Sequence, residues 1–541
     1  MLMPVCPCRT AFALLATMAA AGSLRGEPVL GLQVRTEAGL VEGTTGADGH
    51  VRVFEGIPYA APPVGDLRWR SPQPVAAWTG VRKAATFGPR CVQARVFDDM
   101  VFRDEPSEDC LYLNVWTPAA SATPRLPVMV WIHGGGFVAG SASEPRQDGE
   151  RLAAKGVVVV SINYRLGVFG FLSHPALTEE AGRGASGNYG LLDQVAALQW
   201  VRKNIPAFGG DPGNVTIFGE SAGSFAVSAL MVSPLARGLF HRVIGESGAF
   251  FTVGDQTLAP PSLSASEKVG QELATSLGAS SLAALRAKSA EDVLKAAGVG
   301  PAAFRLRPNI DGYMLPRDAY AVFSGRKQND VPLLAGWNAD EVRADVVLAK
   351  NKPTAKTFAE QTRKRFAADA DALLKVYPAD SDGEALESAA SLASDLFIGY
   401  ATWKWVDMQA QTGRSPVFCY SFDRAIPVPA DLKMDGVPAT ARDVGARHAG
   451  EIEYVFGALD SLPKVPWEPI DRKLSDMMMS YWTNFARSAD PNGPGLPKWP
   501  RYDETGGHQV LHLGDEAYAA VDTRRPRYEV LDAIAARLRT R

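Results

Sequence analysis

Five short apolar runs, separated by polar or helical stretches, constrain the fold of this chain more than any other feature. They cover residues 126–132, 156–162, 214–218, 242–245 and 331–336. Their apolar residues are continuous rather than alternating, which is typical of strands covered on both faces. Residues 189–204 lie between two of these runs and have helical spacing. The alternation predicts an α/β fold with a large, mostly parallel central sheet flanked by helices, whose ligands bind beyond the carboxyl ends of the strands.

Length and composition indicate one large globular unit. The chain has 541 residues, of which 46% are hydrophobic and 21% charged, and its net charge is −3. Without a block of like charge, neither nucleic acid nor an anionic membrane surface is an expected partner. Two largely helical segments, residues 262–298 and 355–411, interrupt the alternation, and we expect them to be insertions that build walls over the strand ends. Residues 27–541 are therefore expected to form a single domain.

The amino-terminal segment, residues 1–26, has the features of a secretory signal peptide. Arg9 precedes the apolar run at residues 11–21, and the small residues Gly22 and Ser23 follow it. Such a basic flank, short apolar core and small residues are typical of a cleaved export signal. The run is too short to span a bilayer, and no later segment approaches the length of a transmembrane helix. We therefore expect a secreted or periplasmic protein without an integral membrane span.

The five cysteines fit an exported protein. Cys6 and Cys8 fall in the predicted signal, which leaves Cys91, Cys110 and Cys419. The first two of these enclose a short polar loop, which favours a disulfide between them in an oxidising compartment. Cys419 alternates within a predicted strand and is expected to be an inert core residue. Since no cysteine–histidine cluster has metal-ligand spacing, we predict neither a metal nor another cofactor.

Residues 216–230, TIFGESAGSFAVSAL, predict a sharp turn between a strand and a helix. Gly219, Ser221 and Gly223 form the pattern G-x-S-x-G. The two glycines permit a turn that side chains would block. The pattern is typical of a nucleophile elbow, which holds a serine oxygen above the sheet. Taken alone, it also fits an ordinary strand-to-helix turn with a capping serine, because about 0.3 such patterns are expected by chance in a chain of this composition.

A serine nucleophile needs a histidine base and an acid, in the chain order serine, acid, histidine for this type of sheet. Four histidines follow Ser221: His241, His448, His508 and His512. His241 directly precedes a predicted strand and is expected at the wrong end of the sheet. Residues 507–513, which contain the last two, predict a late surface hairpin. His448, in a loop of small residues after a strand at 418–422, is the best candidate, with a surface-loop histidine as the alternative.

Residues 131–137, WIHGGGF, could supply donors for an oxyanion. They end a predicted strand with three glycines, whose N–H groups no side chain shields. Such donors, together with the N–H of Ala222, are the usual oxyanion hole of this arrangement. A tight glycine turn and a dinucleotide-binding loop are the alternatives. The latter requires G-x-G-x-x-G before a helix, a spacing that Gly134, Gly135, Gly136 and Gly140 do not match.

Taken together, these motifs resemble the type-B carboxylesterase family of the α/β-hydrolases, which includes the carboxylesterases and cholinesterases. The resemblance runs through nearly the whole chain after the predicted signal. It is carried by FEGIPYAAPPVGDLRW at 54–69, SEDCLYLNVWTP at 107–118, WIHGGGF at 131–137, NYRLG at 163–167, GGDPGNVTIFGESAGS at 209–224 and YWTNFARSADPNGPGLPKWP at 481–500. The family implies an α/β-hydrolase fold and a serine carboxylesterase that acts through an acyl-enzyme intermediate.

The resemblance also implies roles for single residues. It makes Ser221 the nucleophile and His448 the base. In the family the acid is a glutamate, which is Glu341 here rather than its neighbour Asp340. The family usually has a glycine after this glutamate, whereas this chain has Val342, which puts the local turn in question.

Further positions follow from the same comparison of motifs. The N–H groups of Gly135, Gly136 and Ala222 would form the oxyanion hole. Glu220 and Ser247 match positions that support the site. The Cys91–Cys110 disulfide has a counterpart in the family.

The sequence bears on three functional classes: cholinesterases, non-catalytic adhesion proteins and specialised esterases. Cholinesterases hold a quaternary ammonium on a tryptophan in the first disulfide loop, but residues 92–109 contain no tryptophan, which argues against that class. Some relatives have lost the catalytic serine and serve in adhesion, whereas this chain keeps Ser221, Glu341 and His448. A specialised esterase for an unusual natural or xenobiotic ester is the third class. The expected partner is a small-molecule ester, and the expected assembly is a monomer or a small homo-oligomer.

Overall fold

The computed structural model describes residue 1 and residues 31–98, 100–121, 125–253, 259–349, 351–434 and 437–539. Apart from its first residue, the predicted signal peptide at 1–26 lies outside the described residues.

One large central sheet organises the described part of the chain, which contains eighteen strands in all. The strands are β1 Gln33–Arg35, β2 Leu40–Glu42, β3 Thr44–Thr45, β4 Arg52–Pro58, β5 Val81–Lys83, β6 Arg90–Cys91, β7 Pro106–Ser107, β8 Tyr112–Thr117, β9 Leu126–Ile132, β10 Val158–Ile162, β11 Gly210–Glu220, β12 Arg242–Glu246, β13 Leu333–Asn338, β14 Val417–Phe422, β15 Lys433–Met434, β16 Val437–Pro438, β17 Gln509–Leu513 and β18 Ala517–Val521. Eleven of them form the central sheet in the order β18-β17-β14-β13-β12-β11-β9-β10-β8-β4-β3.

The middle of this sheet is parallel, as the sequence predicts. Strands β10, β9, β11, β12, β13, β14 and β17 run in one direction, whereas β8, β4, β3 and β18 are attached by antiparallel pairing at the two edges. All five apolar runs lie in parallel strands. The carboxyl ends of these strands therefore meet at one edge of the sheet, where the ligands of such sheets bind.

Helices cover both faces of the sheet. They are α1 Glu150–Ala154, α2 Gly167–Phe171, α3 Pro175–Glu180, α4 Tyr189–Asn204, α5 Ala222–Val232, α6 Leu263–Ser276, α7 Leu282–Arg286, α8 Ala290–Ala297, α9 Ala319–Ser324, α10 Asp345–Leu348, α11 Ala355–Phe366, α12 Ala370–Val376, α13 Asp382–Ser394, α14 Tyr400–Thr412, α15 Ala441–Val444, α16 Ile452–Phe456, α17 Pro469–Ser488 and α18 Arg525–Arg539. The helix predicted at residues 189–204 has the same bounds as α4.

Successive side chains of a strand point to opposite faces of the sheet, so a separate hydrophobic core packs against each face. In β9, Val128 and Val130 belong to one cluster of buried residues, and Met129 and Trp131 belong to the other. Because both faces are buried, every residue of the strand after the first is buried, which explains the continuous apolar run.

The two predicted insertions are helical but pack differently. Helices α6, α7 and α8 rest on a small third cluster, where their residues Leu273 and Val293 meet Trp69 and Phe169. Helices α11 to α14 join the larger core, to which α14 contributes Trp405.

A disulfide joins Cys91 and Cys110, and Cys419 is a buried free cysteine. Among the helices that the structure describes, none is long and apolar enough to cross a membrane. In the same residues, no group of three or more histidine, cysteine or acidic side chains has the arrangement of a metal site.

Candidate active site

Ser221 occupies the sharp turn between β11 and α5. Its backbone angles, φ 52° and ψ −121°, lie in a region that residues with side chains rarely adopt. The turn brings the chain against the end of β9, where a Cβ atom on Gly223 would collide with the carbonyl oxygen of Ile132. On Gly219, a Cβ would lie 2.5 Å from the same oxygen. The two glycines therefore allow a close backbone approach, and the strained turn holds Ser221 at the carboxyl end of β11.

Of the four histidines that follow Ser221, the structure brings His448 to it. The Nε2 atom of His448 lies 3.0 Å from the Ser221 Oγ. His241 accepts a hydrogen bond from the N–H of Val215 near the start of β12, at the opposite end of the sheet. His512, in β17, lies 2.6 Å from Asp423.

Glu341 holds the other side of the His448 ring. Its Oε2 atom lies 2.6 Å from Nδ1 of His448. Its Oε1 atom accepts hydrogen bonds from the Ser247 hydroxyl at 2.6 Å and from the N–H of Asn338 at 2.8 Å. These bonds fix the carboxylate after the end of β13, so Ser221, His448 and Glu341 form one continuous chain of hydrogen bonds.

Asp340 points elsewhere. Its carboxylate accepts a hydrogen bond of 2.9 Å from the N–H of Ala446, two residues before His448. This contact anchors the loop that carries His448, while the histidine ring bonds to Glu341.

Val342, the departure from the family pattern, fits the turn without strain. It is not among the residues with a positive φ angle, so its backbone does not require glycine. Its N–H donates to the Ser394 hydroxyl oxygen at 3.3 Å, and that hydroxyl lies 3.2 Å from the Val342 carbonyl oxygen. Helix α13 thus supports the turn that presents Glu341.

The glycine loop after β9 lies directly beside Ser221. A Cβ atom on Gly134 would lie 2.8 Å from the carbonyl oxygen of Glu220 and 3.3 Å from the Cβ of Ser221. Gly135 and Gly136 have φ angles of 99° and 63°, which favour glycine. In the described part of the chain, no carbonyl accepts a hydrogen bond from the N–H of Gly135 or Gly136. Neither N–H group is therefore used by the backbone hydrogen bonds of the described residues.

Buried carboxyl groups dominate the electrostatics of the site. The Glu220 Oε1 atom lies 3.3 Å from Nε2 of His448. Burial raises the pKa of Glu220 to about 8, against the opposing attraction of His448. Burial and the charge of Glu341 raise the pKa of Glu451 to about 7. Burial also raises the pKa of Glu246 well above its ordinary value, although Trp482 Nε1 donates to it at 2.7 Å.

The same groups control the protonation of the histidine. Burial favours the neutral imidazole of His448, but the negative charges of Glu220 and Glu341 outweigh it and raise the pKa of His448 to about 9. About a quarter of the His448 side chain stays accessible, so protons can exchange with solvent.

A comparison with known protein families decides the class. Residues 31–531 match the model of the carboxylesterase family. This chain belongs to the carboxylesterase family.

Individual carboxylesterases are similar over most of their length. The fumonisin B1 esterase of Sphingopyxis macrogoltabida is 38% identical over 509 residues, which cover 89% of this chain and 86% of that protein. Para-nitrobenzyl esterase of Bacillus subtilis is 37% identical over 490 residues, covering 87% of this chain and 92% of its own. A solved PNB esterase structure superimposes with a TM-score of 0.74 at 35% identity, covering 92% of this chain and 99% of that chain. The protein is thus a carboxylic ester hydrolase with an α/β-hydrolase fold, as the motifs predict.

Apolar side chains from three separate segments of this carboxylesterase lie against His448, Gly135 and Gly136. The Phe397 ring packs edge-on against His448, with 5.2 Å between ring centroids. A Cβ atom on Gly136 would lie 2.5 Å from the ring of Phe304, and one on Gly135 would lie 3.0 Å from the Met100 methyl group. The segments that contain these three residues carry no local sequence signal of a contact with the site.

Proposed function

We propose that this carboxylesterase cleaves esters through an acyl-enzyme intermediate on Ser221, with His448 as the base and Glu341 as the acid of a Ser-His-Glu triad. The continuous hydrogen-bond chain from the Ser221 Oγ through His448 to the Glu341 carboxylate supports the proposal. A serine hydroxyl becomes a useful nucleophile when a positioned base accepts its proton and an acid orients that base.

The reaction begins with proton transfer from the Ser221 Oγ to Nε2 of His448 as the oxygen attacks the ester carbonyl carbon. The carbonyl oxygen becomes an oxyanion, which the N–H groups of Gly135, Gly136 and Ala222 stabilise. His448 then gives the proton to the departing alkoxide, which leaves as an alcohol. A water molecule repeats the sequence on the acyl-enzyme and releases the carboxylic acid.

Two further residues support this chemistry. Ser247 donates to the oxygen of Glu341 that does not face His448 and so fixes the carboxylate. The Glu220 carboxyl group lies 3.3 Å from Nε2 of His448. In its ionised form, which its pKa of about 8 favours at alkaline pH, it stabilises the imidazolium that forms when Ser221 gives up its proton.

For the substrate, we favour a neutral carboxylic ester that meets an apolar wall at Phe304 and Phe397. A specialised role on an unusual natural or xenobiotic ester is the second candidate, favoured by the 38% identity to a fumonisin B1 esterase. Residues 92–109 lack a tryptophan, so the chain has no tryptophan platform there for a quaternary ammonium.

We also propose that the protein is exported after removal of residues 1–26 and that residues 27–541 form one domain, as a monomer or a small homo-oligomer. The Cys91–Cys110 disulfide favours an oxidising compartment. Amino-terminal sequencing of the exported protein and size-exclusion chromatography test these points.

The decisive experiment replaces the nucleophile. Ser221→Ala should lower the turnover of a p-nitrophenyl ester by several orders of magnitude and leave the circular dichroism spectrum unchanged, because alanine is smaller than serine and fits the turn. A fluorophosphonate should label the wild type on the peptide that contains Ser221. An active alanine variant, or labelling on another peptide, would show that the nucleophile lies elsewhere.

A further inference from the structure

The side chain of Gln93 is bound to the loop that carries the oxyanion donors. Its amide oxygen accepts the N–H of Gly140 at 2.8 Å, and its amide nitrogen donates to the carbonyl of Gly140 at 2.8 Å. The second N–H of the same nitrogen donates to the carbonyl of Cys91 at 3.0 Å. One side chain therefore joins the disulfide loop to a backbone position 47 residues away.

Gly140 closes the glycine loop. Its φ angle is 119°, and a Cβ atom there would collide with the ring of His133 and lie 2.7 Å from the carbonyl oxygen of Gly134. Gly140 is thus packed directly on the two residues that open the loop. In the described part of the chain, the backbone hydrogen bonds outside helices and strands do not involve Gly140, so the Gln93 amide provides the hydrogen bonds of the Gly140 backbone itself. The next residues are held separately, Ser141 by Asp104 and Ala142 by Asn163.

The middle of the glycine loop, which carries the proposed oxyanion donors, is hydrogen-bonded to the residues that precede Gly140. The N–H groups of Val138 and Ala139 both donate to the carbonyl of Gly135 at 3.0 Å. This carbonyl shares a peptide unit with the N–H of Gly136, the second proposed oxyanion donor. A shift of Gly140 would therefore be passed to the peptide unit that carries this donor. An oxyanion hole works only when its donors lie about 2.7–3.1 Å from the developing charge, so a small shift weakens it.

We propose that Gln93 is a positioning residue for the oxyanion hole, acting through Gly140. This inference rests on the proposed function, because it concerns donors that serve the acyl transfer at Ser221. Gln93 does not touch the ester itself. Its loss should therefore weaken binding of the transition state and leave binding of the substrate nearly unchanged.

The test compares Gln93→Met and Gln93→Glu with the wild type. Methionine keeps the length of the side chain and removes all three hydrogen bonds. Glutamate keeps an acceptor for the Gly140 N–H but sets a carboxylate against the carbonyl oxygens of Gly140 and Cys91. Gln73→Met is the matched control, because Gln73 is exposed and its amide bonds only to the Ser71 carbonyl among the described contacts.

Turnover should be measured per active site, with the sites counted by the burst of a slow-deacylating ester. We expect kcat to fall about ten- to hundredfold in both Gln93 variants, with KM changed less than about threefold. The affinity for a trifluoromethyl ketone, whose adduct with serine carries an oxyanion, should fall in parallel with kcat/KM. Gln73→Met should match the wild type in all three quantities.

A purely structural role would lower the number of titrated sites or the melting temperature while kcat per site stayed at the wild-type value, and that result would overturn the inference. Unchanged ketone affinity in both variants would overturn it as well. Neither result would affect the triad, which the Ser221→Ala experiment tests separately. If Ser221→Ala itself were active, the proposed function would fail instead.

Discussion

Two adjacent acids at residues 340 and 341 have different partners, and this difference gives the sharpest test of a single residue. Glu341 binds His448, whereas Asp340 accepts the N–H of Ala446. Glu341→Gln should lower kcat at least about a hundredfold, because the amide neither fixes the imidazole tautomer nor stabilises the imidazolium. Asp340→Asn should cost less than about tenfold, since asparagine keeps an oxygen acceptor for the backbone N–H.

Steady-state kinetics on both purified variants, with circular dichroism to verify folding, decides between the two acids. If Asp340→Asn were the crippled variant, the acid would be Asp340, and the role inferred for Glu341 from the family resemblance would be wrong.

Glu220 gives a second prediction, which concerns pH. An ordinary histidine titrates near pH 6.5, but the negative charges near His448 raise its pKa to about 9. The base must be neutral to accept a proton, so kcat/KM should fall as pH drops through this raised pKa, above the range of an unperturbed histidine. Glu220→Gln removes one of these charges, so the acid limb of the kcat/KM profile against pH should move to lower pH.

Glu451→Gln is the matched control, because Glu451 is also buried but contributes less to the pKa of His448 than Glu220 does. Its acid limb should shift less than that of Glu220→Gln. An acid limb in Glu220→Gln at the wild-type position or higher would contradict the electrostatic role given to this residue.

The sequence reveals residues of the site unequally. Ser221 lies in a local pattern, and His448 follows from the small number of histidines. The choice of Glu341 over Asp340 needed the family resemblance, because two adjacent acids give no local signal of which one faces the ring. Gln93 and Trp482 give none either, since their partners are 47 and 236 residues away.

The sequence predicts strands and helices best where both faces of the element are buried. Strand β9 and helix α4 have the predicted bounds. Strands β4 and β8 overlap motifs of the family resemblance, but the apolar pattern does not predict them as strands, because their antiparallel pairing near the sheet edge leaves no long apolar run. Residues 509–513 form the predicted late hairpin with β18, but β17 also pairs in parallel with β14 and extends the central sheet. That pairing depends on distant residues, which a local pattern does not encode.

The disulfide loop gives a prediction at the scale of an element. Cys91 and Cys110 are 19 residues apart, and closing a loop of this size contributes about 3 kcal/mol on the chain-entropy model. Replacing both cysteines by alanine should lower the free energy of unfolding in guanidinium by about this amount. A reductant should lower the free energy of unfolding of the wild type to that of the double variant and leave that of the double variant unchanged. A double variant as stable as the wild type would show that the crosslink adds nothing.

At the scale of the whole molecule, the two helical segments predicted as insertions differ in the hydrophobic cluster against which they pack. Helix α14 contributes Trp405 to the same buried cluster as Val128 and Val130 of the central sheet. Helices α6 to α8 instead pack on the separate small cluster with Trp69. A region opens at low free energy when few buried contacts tie it to the rest of the protein. Residues 263–297 should therefore open without the sheet, whereas residues 400–412 should open with it.

Hydrogen exchange measured by mass spectrometry at increasing denaturant tests this difference. Amides in α14 should exchange with the same free energy of opening as those in β11 to β13, and amides in α6 to α8 should exchange at a lower one. Helix α4, which lies in the larger core, is the internal control and should follow the sheet. Equal protection of α6 and β11 would mean that the third cluster is no weaker than the main core, and separate opening of α14 would argue against the single domain proposed for residues 27–541. Helices α6 to α8, which are expected to open most easily, directly precede the short helical segment that contains Phe304. The Phe304 side chain lies beside Gly136, so we expect this part of the site to adapt most readily to different esters.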